Sequence, residues 1–290
     1  MTFPSNNNSS QNSELFANYV SASEFAAYEN SVSRSLVRTF QVPMNAGKVV
    51  QVPVWASITA QVLTDEQVAT AKETGTTAPT ITMKEIVVYN QITDVLRDSS
   101  FGNVMGELAD QSGRAIGEGL DTMVFAEFAN FNSNIGSTST ELTAELVLKA
   151  AATLRIAKVQ GPYYAVVHPS ASYNLKKQVA ITAPYSASGT IGALSNVGNE
   201  VLMSGVIGSI GGVTIIESAL CAAVTTGGAT AYLGGVFAAS ALGIAERGGL
   251  EMNSLYLPAA RATDIVLKMN AGAAVIQATH GVGITAEGTL

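Results

Sequence analysis

Two segments of alternating hydrophobicity constrain the fold of this chain more than any other feature. Apolar residues, most of them valine, alternate mainly with polar ones through residues 50–62, and a second alternation runs through residues 81–89. A period of two is typical of a strand with one buried face. Between the two segments, residues 64–79 are polar and rich in turn-forming residues. The pattern predicts a long hairpin whose first strand is half-buried.

Such a hairpin needs a surface to lie against. A lone hairpin of two strands is only marginally stable in water. Pro53 lies in the first strand and lacks the amide hydrogen that a central strand needs, so it suits an edge strand. We therefore expect the hairpin to lie against another surface.

Helical periodicity dominates three other segments. Residues 22–38 predict an amphipathic helix, and apolar residues three or four apart predict a long helix over 101–134. A third helix is predicted over 141–158, where acidic residues come first and basic residues last, as the helix dipole favours. Three glycines inside the long helix allow it to bend or to approach another backbone closely: Gly106, Gly113 and Gly117.

The remaining chain mixes strands with one short helix. A strand is predicted over 163–168, ended by Pro169, and a short helix follows. Another strand is predicted over 211–216. Residues 264–286 predict one long strand or two, with a break near 270–272. With the hairpin and the helices, this order indicates an α+β fold.

Composition limits the surroundings of the protein. Only 13% of the 290 residues are charged and the net charge is −7, whereas soluble chains carry about a quarter of charged residues. Much of the surface is therefore expected to be covered by something. The first residues, to about residue 13, have the Asn- and Ser-rich composition of a flexible tail. Lysine and arginine are scattered, which argues against sequence-specific binding of nucleic acid.

Cellular compartment and membrane insertion are constrained by three features. The single Cys221 excludes an intramolecular disulfide and favours a reducing compartment, and the first residues lack the pattern of a secretory signal. Residues 218–245 contain no charged residue, which raises the possibility of a membrane span. A polar, glycine-centred break at 225–230 favours two buried strands, or a strand and a helix, over a span.

Few residues suggest chemistry. His168 at a strand end could act as a general base with Ser170 or Ser172 near by, but a histidine that ends a strand and bonds locally explains it better. His280 is interpreted as a packed or interface residue. Cys221 is interpreted as a small buried hydrophobe.

Two further patterns lack the context that function requires. Residues 281–286 match the dinucleotide fingerprint in letters, but no helix can follow to receive a pyrophosphate. Four carboxylates of the long helix, with Arg114 among them, predict a solvated charged face rather than an acid/base or calcium site: Glu107, Asp110, Glu118 and Asp121. We therefore assign no catalytic, cofactor-binding or metal-binding residue, and we predict that the chain is not an enzyme.

Three local segments carry a resemblance to a known family. Residues 164–169, Tyr-Ala-Val-Val-His-Pro, lead to Tyr-Asn-Leu-Lys at 173–176. Residues 208–218 contain Gly-Ser-Ile-Gly-Gly followed by a β-branched strand, and 261–285 look like closing strands. In their order, together with the arm, hairpin and long helix, they resemble the major capsid protein of tailed bacteriophages, which has the Hong Kong 97 fold.

The resemblance implies a domain division and a structural role. Its parts are an N-terminal arm at 1–46, an extended loop at 47–97, a peripheral domain with the spine helix at 98–139, an axial domain at 140–258, and closing peripheral strands at 259–290. The implied function is self-assembly through pentamers and hexamers into an icosahedral shell around the phage DNA. Implied partners are a portal, a separate scaffolding protein, cement proteins and double-stranded DNA bound without sequence specificity, with no membrane and no cofactor. The implied location is the virion capsid, assembled in the host cytoplasm.

Other functions compatible with the sequence remain open. An encapsulin, which forms a cellular nanocompartment, has the same subunit architecture. A β-rich surface or secreted protein fits the Asn, Ser, Thr and Gly content but not the start of the chain, and an enzyme centred on His168 ranks third. Some family members cross-link subunits through a loop lysine. Lys48, Lys72 and Lys84 are available here, but no partner asparagine is identified, so cross-linking is not predicted.

Overall fold

The protein is described from a computed structural model over residues 19–28, 31–45, 47–99, 104–182, 208–226 and 229–288. The predicted flexible tail lies outside these residues. The α-helices are α1 (19–28), α2 (Ser33–Leu36), α3 (Asp94–Ser99), α4 (Val104–Ala126), α5 (Ala144–Ile156) and α6 (Pro169–Thr182). Short 3-10 helices span Glu127–Asn130 and Ala278–His280.

The strands, in chain order, are β1 (Arg38–Val42), β2 (Val49–Gln51), β3 (Val54–Trp55), β4 (Thr76–Thr77), β5 (Thr80–Thr82), β6 (Lys84–Thr93), β7 (Ser133–Gly136), β8 (Tyr163–Val167), β9 (Ser209–Ile210), β10 (Val213–Glu217), β11 (Ala223–Thr226), β12 (Ala229–Ala238), β13 (Leu242–Leu257), β14 (Ala262–Val275) and β15 (Gly281–Glu287). This mixture of separate helices and mostly antiparallel sheets confirms the α+β class.

Two larger sheets organise the molecule. The first has the order β1-β13-β14-β6, and α4 lays its apolar face on it through Ile116, Leu120 and Val124. The second has the path β7-β15-β12-β8-β10-β9, with β11 paired to β12, and α5 and α6 cover it. Strands β12 and β13 follow one another in the chain and carry it from the second sheet to the first.

Several predicted elements are confirmed. The third helix, the strand ended by Pro169, the short helix after it and the strand near 211–216 are present as α5, β8, α6 and β10. The uncharged stretch folds into β11, β12 and the start of β13, as the buried-strand interpretation predicts. Among the described residues, no helix is long and apolar enough to cross a membrane.

The first predicted helix is wrong in its extent. Instead of one helix over 22–38, helix α1 covers 19–28, the short α2 follows, and the chain is extended by Arg38. The physical reason is that β1 pairs in parallel with β13, with Arg38 opposite Gly243 and Val42 opposite Arg247. From Arg38 onward, the edge of the sheet satisfies the backbone N–H and C=O groups that would otherwise be paired within a helix.

The long helix is shorter than predicted. It ends at Ala126 instead of continuing to residue 134, and one 3-10 turn follows. Residues beyond that turn form β7, which pairs in parallel with β15, with Ser133 opposite Val282. The backbone of this segment is satisfied by an edge of the second sheet rather than by another helical turn.

The predicted break in the last segment lies elsewhere. Residues 270–272 continue β14, and the chain turns at 276–280 before β15. Gly272 stays within the strand because the hairpin crosses over it: a Cβ at this position would lie 2.4 Å from the carbonyl oxygen of Thr82. This glycine therefore marks a close backbone approach and not a turn.

Glycines of α4 receive the arm helix α1. A Cβ at Gly113 would lie 2.2 Å from the Ser23 carbonyl oxygen, and one at Gly117 would lie 2.9 Å from that of Ala27. The Ser23 hydroxyl donates to the Ala109 carbonyl over 3.0 Å. The expectation that glycines allow a close backbone approach is confirmed at these two positions.

A valine at Gly113 should therefore separate the arm from the long helix. Because the added side chain meets backbone atoms, Gly113→Val should destabilise the subunit by about 2 kcal/mol and expose the amides of residues 19–28 to hydrogen exchange. Ala115→Val, at an exposed position of the same helix, is the matched control and should leave those amides protected. Equal protection in the two variants would contradict the packing described.

Candidate assembly surfaces

His168 and Ser170 lie together at the start of α6. Nδ1 of His168 accepts a hydrogen bond from the Ser170 amide over 3.2 Å and lies 2.7 Å from its hydroxyl oxygen. The imidazole stacks on the ring of Tyr232, with 3.5 Å between ring centroids. A side chain that accepts from an amide of the first helical turn is a helix cap. These contacts agree with the interpretation of His168 as a locally bonded residue.

Ser172 is not part of that pair. Its hydroxyl donates to Oε1 of Glu217 over 2.5 Å, and Lys176 Nζ lies 2.6 Å from the same oxygen. Burial acts to raise the pKa of Glu217, but the hydrogen bonds from Lys176 and Ser172 outweigh it and the pKa is lowered. The cluster ties α6 to β10.

The other two candidates also have structural contacts. His280 Nδ1 lies 2.7 Å from the Ser240 hydroxyl, and burial lowers the pKa of the imidazole. Cys221 is buried, which raises the pKa of its thiol to about 12, so it packs as a small hydrophobe. The described residues contain no group of three or more His, Cys, Asp or Glu side chains able to hold a metal ion.

The interpretation of Asp121 as solvated is wrong. Arg114 and Asp110 form the expected ion pair on the outer face, 2.9 Å apart, and Glu107 and Glu118 are exposed. Asp121, by contrast, is only 1% exposed. It follows Gly117 by four residues, as Gly117 follows Gly113, and this spacing places all three residues on the face that receives the arm.

Asp121 holds the arm through four hydrogen bonds. Its Oδ1 accepts from the hydroxyls of Ser31 and Ser33, at 2.7 and 2.5 Å, and from the Ser33 amide at 3.2 Å. Its Oδ2 accepts from the Val32 amide at 2.9 Å. The carboxylate thus satisfies amides at the start of α2, where no residue of α2 itself supplies a side-chain cap. The sequence offered one signal for this contact: Asp121 lies four residues after Gly117, on the glycine face of the helix, and two serines of the arm can donate to it.

A second polar contact fixes the arm to the first sheet. Arg34 forms an ion pair with Glu246, a buried residue of β13, and Gln41 Nε2 donates to the same carboxylate over 3.3 Å. The Arg34 guanidinium also lies over the Tyr28 ring, 3.9 Å from its centroid. The arm is therefore bound both to α4, through Asp121, and to β13, through Glu246.

The predicted hairpin is present, but its long first strand is wrong. Only short pairs form, β2 with β5 and β3 with β4. Beyond them four hydrogen bonds keep the two sides of the hairpin together. The Ala56 amide donates to the Gly75 carbonyl, the Gln61 side chain donates to and accepts from the Thr70 backbone, and the Lys72 ammonium donates to the Thr59 hydroxyl. The half-buried strand fails because no part of the described chain covers it, and every residue from 55 to 73 is exposed.

The root of the hairpin is buried, whereas its tip is exposed. Ile81 and Met83 pack against Val42 and Ala245, and the Met83 amide donates to the Lys48 carbonyl over 2.9 Å. At the other end, large apolar side chains face water, with relative exposures of 69% for Trp55, 76% for Ile58, 95% for Val62 and 90% for Val68. A firmly seated root with an uncovered apolar arm is the geometry of a contact to another molecule.

Solved structures similar to this chain include phage capsids and a virus-like particle. The capsid of the cyanophage P-SCSP1u matches with a TM-score of 0.66 at 17% identity, over 89% of this chain and 89% of that chain. The head of the Helicobacter pylori bacteriophage KHP40 matches with a TM-score of 0.66 at 11% identity, over 90% and 91%. A virus-like particle from Pyrococcus furiosus matches with a TM-score of 0.57 at 15% identity, over 93% and 98%. The fold is that of Hong Kong 97-like shell subunits.

A family model described as phage capsid protein matches residues 88–288. The chain belongs to this family: it is a structural, shell-forming major capsid protein of the bacteriophage virion. No curated protein is significantly similar to the sequence.

Removing the Asp121 carboxylate should release the arm. Asp121→Ala leaves four buried or partly buried donors without their acceptor, so we expect a loss of about 2 to 4 kcal/mol in unfolding free energy. Glu118→Ala, one turn earlier on the exposed face, should cost less than about 0.5 kcal/mol. Urea denaturation of both variants measures the difference, and equal midpoints would refute the assignment.

Acid should weaken the cap of α6. Burial lowers the pKa of His168 below its ordinary value of 6.5, so the folded protein holds this proton less tightly than the unfolded chain does. The contribution to stability is complete above pH 6.5 and decreases as pH falls through the folded pKa. His168→Asn keeps a capping acceptor without a titrating group. Between pH 6.5 and 5, denaturation midpoints should fall less for this variant than for the wild type.

Proposed function

We propose that copies of this chain assemble through pentamers and hexamers into an icosahedral shell that encloses a double-stranded phage DNA genome. The observation that carries this proposal is the hairpin, which no described part of its own chain covers. Closed rings of identical subunits arise when one surface of a subunit fits a different surface of its neighbour. The projecting hairpin, with its exposed apolar side chains, is such a surface.

The energetic argument favours a neighbouring copy as the cover. Burying apolar surface stabilises an interface by about 25 cal/mol per Å², and the uncovered side chains of Trp55, Ile58, Val62 and Val68 lie on one arm or at its tip. The low charge density of the whole chain, 13%, fits a subunit whose surface is shared with neighbours. The buried root fixes the direction in which the hairpin projects, and an identical contact in every subunit requires a fixed direction.

The remaining features fit a shell around DNA. A subunit of net charge −7 repels nucleic acid, which would leave a packaged genome free to move and needs no sequence specificity. The parts proposed are an arm (1–46), an extended loop (47–97), a peripheral domain (98–139 and 259–290) and an axial domain (140–258). A portal, a separate scaffolding protein and cement proteins are the proposed partners, with assembly in the host cytoplasm and no enzymatic role.

An encapsulin-type compartment is the second candidate. The likeness to a virus-like particle from Pyrococcus furiosus, a cellular organism rather than a phage, is the observation that favours it. The family model for phage capsid proteins favours the phage shell. DNA within shells purified from infected cells would distinguish the two, since a compartment would contain protein cargo instead.

Shortening the hairpin tests the assembly role. Residues 57–74 can be replaced by Asn-Gly, since Ala56 and Gly75 are already hydrogen-bonded over 3.0 Å and such a turn closes a hairpin. The excised residues are almost all exposed, so circular dichroism should show a folded subunit. Electron microscopy should show few or no closed shells. Normal shells from this variant would refute the proposed role of the loop.

Matched substitutions separate loop chemistry from loop length. A variant with Ile58→Ser, Val62→Ser and Val68→Ser should lose most shells, because the apolar contact is removed while the loop remains. The control with Ile58→Val, Val62→Ile and Val68→Ile keeps the apolar character and should assemble. If the wild-type protein stays a 30 kDa monomer at high concentration, the proposed function itself fails.

A further inference from the structure

A cationic cleft lies between the arm, the second sheet and the loop after α5. It has a volume of about 540 Å³, and Arg38, Lys158 and His280 line it together with Gln160 and Ser240. None of the described residues that line it is acidic. In a chain with 15 basic and 22 acidic residues, a cleft with two permanent positive charges and no carboxylate is an uncompensated site.

The chemistry of the cleft selects an anion. Arg38 offers a planar set of N–H donors that suits a carboxylate, and Lys158 offers a mobile ammonium. Both residues are exposed, and within the described part of the chain neither makes an ion pair. His280 lies against Ser240 and burial lowers the pKa of its imidazole, so the charge at neutral pH comes from Arg38 and Lys158.

The tip of the hairpin carries the complementary charge. Asp65 and Glu66 lie at its turn and Glu73 lies on the returning arm, against the single cation Lys72. All four residues are exposed, and no residue of the tip lines the cleft of the same chain. The tip therefore has a net negative charge, and it does not contact the cationic cleft of its own chain.

The length of the hairpin separates the two surfaces within one chain. From Val49 to Gln61 an extended chain reaches up to about 40 Å at about 3.3 Å per residue. Arg38 lies only about 13 Å along β1 from Val42, against which the root packs. A tip so far from the root is out of reach of a cleft so close to it. An anion supplied by this surface has to come from a second copy.

We propose that the acidic hairpin tip, Asp65 and Glu66, docks in the cleft of Arg38 and Lys158 on a neighbouring copy. This inference rests on the proposed function and specifies the partner surface. The apolar side chains of the hairpin would then bury surface against the neighbouring copy, while the ion pairs fix the position of the hairpin tip. Screening predicts that added salt weakens this part of the contact first.

Reversed charges test the contact. Lys158→Glu should reduce the yield of shells at least tenfold, and so should the double change Asp65→Lys, Glu66→Lys, each in a subunit whose circular dichroism is unchanged. Lys149→Glu, an exposed cation of α5 outside the cleft, is the matched control and should assemble like the wild type. An equimolar mixture of the two charge-reversed proteins should regain rings with an even number of subunits, because the acidic tip then meets an unchanged cleft and the reversed tip meets a cleft in which a carboxylate replaces the ammonium of Lys158.

The outcomes separate this contact from the proposed function. If the wild type forms no shells, the proposed function fails. If the wild type assembles and the Lys158→Glu and tip variants assemble equally well, only the docking contact is refuted. It is also refuted if mixing restores nothing, or if Lys158→Glu lowers DNA retention in shells of normal yield, since the anion would then be a nucleic-acid phosphate.

Discussion

The buried carboxylate of Asp121 is the constraint on which the path of the N-terminal arm depends. A charge removed from water is tolerated only when hydrogen bonds replace its hydration, and Ser31, Val32 and Ser33 supply them. This places α2 beside α4, and β1 can then enter the sheet next to β13. Because β1 leads into the hairpin, one polar cluster determines where the hairpin leaves the subunit.

The hairpin combines a fixed base with an uncovered apolar segment, and both properties suit the proposed contact between subunits. Ile81 is fully buried at the root, whereas Val62 near the tip is almost fully exposed. A flexible root would cost ordering entropy each time a neighbour binds. Packing the root within one chain removes part of that cost. The exposed apolar side chains of the hairpin can then be buried against another chain.

Elements with a local signal were predictable, whereas positions set by other segments were not. Helix α5 has its charge gradient and β8 has its terminal proline, and both lie where the sequence places them. The alternation at 50–62 also predicted a hairpin, but the predicted half-burial is absent because no described part of the chain covers residues 55–73. Asp121 was misread because four carboxylates at helical spacing look alike until the arm covers one of them.

By itself, the sequence determined the α+β class, the long helix, the existence of the hairpin and the resemblance to capsid proteins, because periodicity and element order are properties of consecutive residues. Tertiary structure alone decided the change to an extended strand at Arg38 beside β13, the burial of Asp121 and the meeting of Arg38 with Lys158 in one cleft. These features join residues about ninety or more positions apart. Their free energy comes from contacts that exist only after the chain has folded, so no local pattern encodes them.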